Sequence, residues 1–230
     1  MAKDPVYGNP RYAQAVAEQN RLRSRVVLRP LPPGLRWIGG ADVSCNRFGR
    51  TFWGGIVVCD AQEGFAPAER RVVRMEVDFP YIPGLLAFRE VPVLAEAWER
   101  LERKPDVLLV DAHGMAHPRR MGSAAHLGVT LGVPAVGCAK SRLCGEYEEL
   151  APERGSWSPL LLEGEEVGRA LRTRTGVQPV FVSPGHLSDL ASAVDLVLRC
   201  SPRYRIPEPI RLAHEAVNAA RRGECQEARK

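Results

Sequence analysis

The chain has 230 residues and a net charge of +5, with 45% hydrophobic and 26% charged residues, as expected for one globular domain with a sizeable core. No apolar run approaches the roughly 18 residues of a membrane span, and the N-terminus lacks the apolar segment of a signal peptide. We therefore expect a cytoplasmic protein with no membrane partner. The six cysteines form no CxxC pair, so we expect reduced thiols and no zinc site.

The first third of the chain predicts a helix, a strand meander and a stiff loop. Spaced apolar residues predict a helix from Pro10 to Leu28, and a proline cluster ends it. Aromatic and β-branched residues predict antiparallel strands over Arg36–Ser44, Thr51–Cys59 and Arg71–Phe79. The loop Phe79–Gly84, Phe-Pro-Tyr-Ile-Pro-Gly, is expected to be rigid and to expose its Tyr-Ile pair.

Helices and strands alternate in the rest of the chain. Helices are predicted over Phe88–Arg103, Arg120–Leu131, Leu187–Arg199 and Pro209–Arg221, and strands over Val107–Val110, Pro134–Cys138, Leu160–Leu162, Val167–Arg172 and Pro179–Ser183. This order predicts a single α/β domain with a mixed sheet, because nothing resembling an interdomain linker divides it. The highly charged tail Arg222–Lys230 is expected to be mobile.

Three acidic residues stand in apolar surroundings. Asp42 lies within the first strand, Asp111 ends the apolar run Val107–Val110, and Glu90 shares a helical face with Leu94. A buried carboxylate needs a compensating partner, and Mg²⁺ is one candidate because it prefers oxygen ligands. Spacing alone leaves the alternative open that each is a helix cap or an ion-pair partner.

Basic residues and histidines follow the two buried strands. His117, Arg119 and Arg120 occupy the loop after Asp111, where the arginines could contact phosphate or merely form a solvated turn. Lys140 follows the next strand and could stabilise phosphate charge, or be an ordinary strand-end lysine. His214 lies at the edge of an apolar helical face, where a structural histidine is the commoner case.

Taken together, these segments resemble the endonuclease V family. The matching segments occur in the family's order from about Pro10 to Arg222 and include Gly40-Ala41-Asp42-Val43, Pro80-Tyr81-Ile82-Pro83-Gly84, Phe88-Arg89-Glu90, Lys104-Pro105-Asp106, Asp111-Ala112-His113-Gly114, His117-Pro118-Arg119-Arg120, Gly137-Cys138-Ala139-Lys140 and Arg142-Leu143-Cys144-Gly145. So many ordered matches are far more specific than any one motif.

The resemblance implies a ribonuclease H-like fold and a DNA-repair endonuclease. Such an enzyme would hydrolyse the second phosphodiester bond 3′ to deoxyinosine and leave 3′-hydroxyl and 5′-phosphate ends. By position, Asp42, Glu90 and Asp111 resemble the family's Mg²⁺-binding carboxylates, with Glu90 assisting through a second metal or its water. Lys140 resembles the lysine near the scissile phosphate, and His214 stands where the family has a fourth acidic or histidine group. Mn²⁺ is expected to substitute for Mg²⁺.

The proline-rich loop resembles the family's strand-separating wedge. The resemblance implies that Pro80, Tyr81, Ile82 and Pro83 contact DNA, and Arg119 and Arg120 are candidate DNA contacts from their place in the loop after Asp111. It places Gly84, Leu85, Ala112, Gly114, His117 and Gly137 around an extruded base. Ala112 departs from the family's frequent glycine, and its methyl group is expected either to narrow the pocket or to alter the choice among inosine, xanthosine and uracil lesions. The unusual Cys138 is expected to be packed inside.

Two other functions remain open from the sequence. A member of this family could instead act as an inosine-specific endoribonuclease on single-stranded RNA. A protein that kept the fold could also bind nucleic acid without cutting it, although the intact acidic set argues against this. DNA containing deaminated bases is thus the expected partner, inosine-containing RNA the alternative, and the chain is expected to be a monomer.

Overall fold

The computed structural model describes residues 10–46 and 49–227, with side chains as far as residue 223. Its helices are α1 (Pro10–Arg23), α2 (Ala87–Glu99), α3 (Ser123–Leu131), α4 (Leu190–Arg199) and α5 (Glu208–Glu227). Its strands are β1 (Trp37–Cys45), β2 (Thr51–Asp60), β3 (Ala66–Glu76), β4 (Val107–Val110), β5 (Ala135–Ala139), β6 (Trp157–Leu162), β7 (Glu165–Leu171) and β8 (Val180–Pro184). No helix within these described ranges is long and apolar enough to cross a membrane.

The eight strands form one mixed sheet in the order β3-β2-β1-β4-β5-β8-β7-β6. The predicted meander is confirmed, since β1, β2 and β3 pair antiparallel. The central strands β1, β4 and β5 run parallel, and β8, β7 and β6 continue antiparallel from β5. This confirms the single α/β domain and the ribonuclease H-like mixed sheet that the resemblance implied. Because parallel strands end at the same edge, side chains just beyond β4 and β5 are neighbours.

Helices cover both faces of the sheet. One face packs against α2 and α3, with Leu94 and Leu127 fully buried there. The other packs against α4 and α5, with Val197 and Ile210 fully buried. Gly40 of β1 allows the start of α5 to lie against the sheet, because a Cβ atom at this position would stand 2.0 Å from the Pro209 carbonyl oxygen. This close approach fixes where the rest of α5 lies over β1.

Several element boundaries differ from the sequence prediction for local reasons. The third helix begins at Ser123 and not at Arg120, because Arg120 has a φ of 55°, which a helix does not tolerate. The fourth begins after Asp189, whose carboxylate accepts the Ser192 backbone N–H at 2.8 Å. The strand predicted from Arg71 to Phe79 lies earlier, because pairing with the whole of β2 extends it back to Ala66.

The end of the chain is described in part. Helix α5 continues to Glu227, beyond the predicted end at Arg221, and residues 228–230 lie outside the described residues. The predicted mobility of the tail from Arg222 stays a prediction.

The buried histidine His126 should make the fold sensitive to acid. Burial lowers the pKa of His126 to about 4 from an ordinary value of 6.5, and its ring packs edge-on against Phe88. The folded state therefore binds this proton less readily than the unfolded state, so stability present above pH 6.5 is lost as the pH falls towards 4. The loss attributable to His126 approaches about 3 kcal/mol at the acid end.

The measurement is the free energy of unfolding in urea between pH 7.5 and 4 for the wild type and His126→Leu. Leucine preserves most of the packing and cannot be protonated. We expect similar stabilities at pH 7.5 and a shallower decline in the variant below pH 6.5. Parallel pH profiles for the two proteins would show that His126 is not responsible.

Candidate active site

Four of the predicted site residues are brought together by the central strands and α5. Ala41, next to Asp42, pairs with Val110, next to Asp111, across the parallel β1–β4 ladder. Lys140 follows β5, which pairs parallel with β4. Helix α5 crosses over β1 and adds His214 to the same place.

The two aspartates and the histidine form a compact group. One oxygen of Asp42, one oxygen of Asp111 and one ring nitrogen of His214 all lie within 4.8 Å of one another. His214 Nδ1 is 2.8 Å from Asp42 Oδ2. Lys140 Nζ donates to Asp111 Oδ2. His214, for which the sequence pattern favoured a purely structural role, is thus in direct contact with Asp42.

Burial and like charge raise the pKa of Asp42 to about 6. Removal from water is the largest cause, and the negative charge of Asp111 adds to it. The hydrogen bond with His214 and the Val43 backbone N–H, 2.8 Å from Asp42 Oδ1, act in the opposite direction. The carboxylate pair therefore carries an unfavourable electrostatic energy that a bound cation would relieve.

A divalent cation fits this group by its donor chemistry. Mg²⁺ prefers carboxylate oxygens, and Mn²⁺ accepts both oxygen and imidazole nitrogen. The two carboxylates supply oxygen ligands for either ion, and the converging imidazole adds a nitrogen that suits Mn²⁺ better than Mg²⁺. His214 joins the two aspartates in this group and Glu90 does not, and the predicted ligand role of all three carboxylates stays a prediction.

Glu90 lies at the same cavity but outside this group. It sits in the first turn of α2, where Ser123 Oγ donates to its Oε2 at 2.7 Å. Removal from water raises the pKa of Glu90 to about 7, and the charges of Asp42 and Asp111 contribute in the same direction. The helical face that Glu90 shares with Leu94 is buried as predicted, since Leu94 is only 1% exposed.

A cavity of about 450 Å³ adjoins the carboxylates. Gly84, Ala112 and His117 line it, as expected for a base pocket, and so do Lys140 and Glu90. This size is typical of pockets for small organic groups.

The other predicted pocket residues do not line this cavity. Leu85 is fully buried beside Ile82 and Ala15 in a small core. A Cβ atom on Gly114 would stand 2.2 Å from the Pro184 carbonyl oxygen, and one on Gly137 would stand 2.4 Å from the Gly114 backbone nitrogen. These two glycines are required for backbone packing behind the cavity wall. Cys138 lies within β5 and is fully buried, as expected.

The proline-rich loop exposes one of its two large side chains. Tyr81 is 67% exposed at the rim of the cavity, whereas Ile82 is only 3% exposed and anchors the loop. The predicted exposure of the Tyr-Ile pair is therefore wrong for Ile82, because the apolar core under α1 takes up its side chain. The Arg89 guanidinium lies 4.7 Å from the Phe52 ring centre and 5.9 Å from that of Tyr81.

The Gly84 carbonyl is the fixed point at the base of this loop. It accepts hydrogen bonds from Gln19 Nε2 at 3.2 Å, His117 Nε2 at 3.1 Å and Arg119 Nη2 at 2.7 Å. Burial lowers the pKa of His117 to about 4, so at neutral pH the ring is uncharged and donates through Nε2. Its Nδ1 accepts the Arg119 backbone N–H at 3.1 Å.

The two arginines after His117 bind groups of the protein itself, and their predicted contact with phosphate stays a prediction. Arg119 is bonded to Gly84 and Gln19. The Arg120 side chain is 6% exposed and binds the Leu162 carbonyl and Glu165. Both guanidiniums therefore support the loop and the cavity wall, Arg119 through neutral acceptors and Arg120 through a carbonyl and a carboxylate.

Sequence reasoning missed three polar residues that hold the site. Gln19 is 1% exposed and lies on the buried α1 face with Ala15 and Leu22, a spacing that could have marked it. Ser123 orients Glu90, and no sequence pattern distinguished it from a helix-start serine. Asn218, four residues after His214, donates to the His214 carbonyl at 2.8 Å.

Comparisons with known proteins identify similar chains and similar folds. A family model described as Endonuclease V matches residues 20–215. The chain is 53% identical to Endonuclease V of Myxococcus xanthus over 94% of this chain and 92% of that protein. It is similar to the crystal structure of Endonuclease V from Streptomyces avermitilis, with a TM-score of 0.89, 43% identity and coverage of 93% and 94% of the two chains. It is also similar to Ciona intestinalis Endonuclease V in complex with a DNA 24mer containing an inosine followed by a ribo-adenosine, with a TM-score of 0.80, 26% identity and coverage of 94% and 99%.

The different placement of Asp42 and Glu90 predicts different effects on cation binding. Asp42→Asn removes a charged ligand atom of the compact group, so Mn²⁺ affinity should fall about tenfold or more, which corresponds to about 1.4 kcal/mol. Glu90→Gln should change the affinity much less, because Glu90 lies outside that group. Titration calorimetry with Mn²⁺ measures both. Equal losses in the two variants would contradict the assignment and make Glu90 a ligand.

Proposed function

This chain belongs to the endonuclease V family, and we propose that it is a DNA-repair enzyme that hydrolyses the second phosphodiester bond 3′ to a deoxyinosine, with Mg²⁺ as its cofactor. The products would carry 3′-hydroxyl and 5′-phosphate ends. The observation that carries this proposal is the convergence of Asp42, Asp111 and His214 within 4.8 Å at the edge of a cavity. A relative holds inosine-containing DNA, which supports the choice of substrate.

Asp42, Asp111 and His214 would hold the cation. Bound there, the metal would supply a positive charge close to the phosphate and lower the pKa of water. The protein prepares the ligands in advance: His214 Nδ1 and the Val43 backbone N–H hold the two Asp42 oxygens. Asn218 fixes the backbone of α5 at His214. Glu90, oriented by Ser123, would assist at the water beside this centre.

Lys140 would stabilise negative charge on the phosphate under attack. The Lys140 side chain is 39% exposed, its ammonium group is bonded to Asp111, and the residue lines the same cavity. A cationic donor held in place before the substrate arrives stabilises developing charge without reorganisation. A cation bound by Asp111 would weaken the ion pair between Asp111 and Lys140, so the ammonium group could bind phosphate.

The exposed Tyr81 would fill the gap that an extruded base leaves in the duplex. Prolines on both sides and the buried Ile82 hold the loop rigid, so little entropy is lost when the ring stacks on bases. The base would enter the cavity lined by Gly84, Ala112 and His117, with the uncharged His117 on its wall. The Ala112 methyl group would narrow this cavity relative to a glycine.

A second candidate substrate is inosine in single-stranded RNA. The Ciona relative binds a DNA in which a ribo-adenosine follows the inosine, so a ribonucleotide is accommodated there next to the lesion. Parallel cleavage assays with deoxyinosine DNA and inosine RNA of the same sequence separate the two candidates. Faster cleavage of the RNA at every Mg²⁺ concentration would favour the second.

The main prediction concerns a labelled duplex with one deoxyinosine. Wild-type protein should produce a single nick one nucleotide beyond the lesion, with Mg²⁺ and not with EDTA. Asp111→Ala should lower the single-turnover rate by about a thousandfold or more, since the cation and Lys140 both lose their carboxylate partner. A polymerase should extend the nicked end directly if it carries a 3′-hydroxyl group.

The matched control for Asp111→Ala is Asp106→Asn. Asp106 directly precedes the start of β4, whereas Asp111 follows its end. The Asp106 carboxylate accepts the backbone N–H groups of Arg36 and Trp37. This variant should lose some thermal stability and keep its cleavage rate. An Asp111→Ala protein that still cuts at the wild-type rate would refute the proposed centre.

Tyr81→Ala should affect duplex DNA more than single-stranded DNA. Loss of one stacked ring corresponds to about 1–3 kcal/mol, so cleavage of the duplex should fall about tenfold or more. The single strand has no gap to fill and should be cut at nearly the wild-type rate. Trp157→Ala is the control, since Trp157 is an exposed aromatic residue on the distant edge strand β6. Equal losses on both substrates would speak against the wedge role.

A further inference from the structure

Arg205 binds the backbone of Lys140 from the loop between α4 and α5. Its Nη2 donates to the Lys140 carbonyl at 2.6 Å and to the Pro179 carbonyl at 2.8 Å. Its Nε donates to the Gln178 carbonyl at 2.8 Å. One guanidinium therefore ties the residue after β5 to the two residues before β8.

The Lys140 backbone needs such a partner because strand pairing stops just before it. The ladder between β5 and β8 ends at the pair Ala139–Phe181. Pro179, two residues before Phe181, has no N–H to continue the ladder. A lysine side chain has many rotamers, so the position of its ammonium group depends on a fixed backbone as well as on Asp111.

Arg205 is itself held rigidly. Its backbone carbonyl accepts the hydroxyl of Thr173, which is fully buried, at 2.7 Å. The loop that carries it is closed at its ends by a hydrogen bond from the Glu208 N–H to the Cys200 carbonyl at 2.7 Å. Arg205 can thus transmit the position of α5, which carries His214, to Lys140.

We propose that Arg205 is a positioning residue for Lys140: its guanidinium fixes the Lys140 carbonyl so that the ammonium group stays directed at Asp111 and the scissile phosphate. This inference rests on the proposed function in one respect, namely that a scissile phosphate lies beside the Lys140 ammonium group. It assigns Arg205 no contact with substrate. Its effect on catalysis should therefore disappear when Lys140 is absent.

Arg172 provides a matched control. Its guanidinium also binds three backbone carbonyls, those of Leu150, Ala151 and Val177, and Val177 directly precedes Gln178. Arg172→Met should therefore loosen the same segment before β8 without releasing Lys140. Comparing it with Arg205→Met separates general destabilisation from loss of the Lys140 contact.

The first measurement is independent of activity. The chain has four lysines, Lys3, Lys104, Lys140 and Lys230, so reductive methylation with ¹³C-formaldehyde gives few NMR signals. The signal missing in Lys140→Arg identifies Lys140. In Arg205→Met this signal should move towards that of an exposed lysine, and in Arg172→Met it should not. An unchanged Lys140 signal in Arg205→Met overturns the inference whether or not the protein cuts DNA.

The second measurement is single-turnover cleavage of the deoxyinosine duplex. Arg205→Met should lower the rate about 10- to 100-fold with an unchanged dissociation constant for the duplex, and Arg205→Lys should restore part of it. In a Lys140→Met background, Arg205→Met should cause no further loss. Additive losses, or an equal loss in Arg172→Met, overturn the inference.

Failure of Arg205→Met to fold and absence of cleavage by the wild-type protein have different consequences. If Arg205→Met fails to fold, Arg205→Lys replaces it, because the shorter ammonium side chain cannot reach all three carbonyls and must also shift the Lys140 signal. If the wild-type protein cuts neither DNA nor RNA, the proposed function fails, and the NMR comparison still decides whether Arg205 positions Lys140.

Discussion

The parallel pairing of β1, β4 and β5 holds two carboxylates together against their mutual repulsion. Strand register alone places Asp42 next to Asp111, and backbone hydrogen bonds prevent them from separating. Removal from water and, after it, the charge of Asp111 raise the pKa of Asp42, and Lys140 on one aspartate and His214 on the other offset part of this cost. Functional sites commonly keep such unfavourable electrostatics, because a bound ligand relieves them.

The remaining parts of the site depend on close backbone contacts around this pair. Gly40 lets α5 lie against β1, which brings His214 to Asp42. Gly114 and Gly137 let the loop after β4 pack directly on the neighbouring backbone. Any side chain at these three positions would push apart the segments that carry Asp42, Asp111 and His214, so the glycines shape the site without lining the cavity.

Buried polar groups also fix the position of the proline-rich loop at the rim of the cavity. The Gly84 carbonyl is held by Gln19, His117 and Arg119, and Ile82 anchors the loop in an apolar core. Tyr81 can therefore stand exposed on a rigid support. A ring presented in this way loses little conformational freedom on stacking, which suits a proposed role in replacing an extruded base.

The sequence by itself determined the order of helices and strands, the antiparallel meander and the acidic residues, because periodicity and apolar runs are local and the ordered motifs resemble one family. It also indicated that Asp111 and Lys140 each follow a buried strand, and only the tertiary structure shows that these strands are neighbours. Only the tertiary structure decided that His214 joins the aspartates while Glu90 binds Ser123, because those contacts depend on how α5 and α2 pack. It also directed Arg119 and Arg120 inward and buried Ile82, since a side chain's partners across the fold leave no periodic signal in the chain.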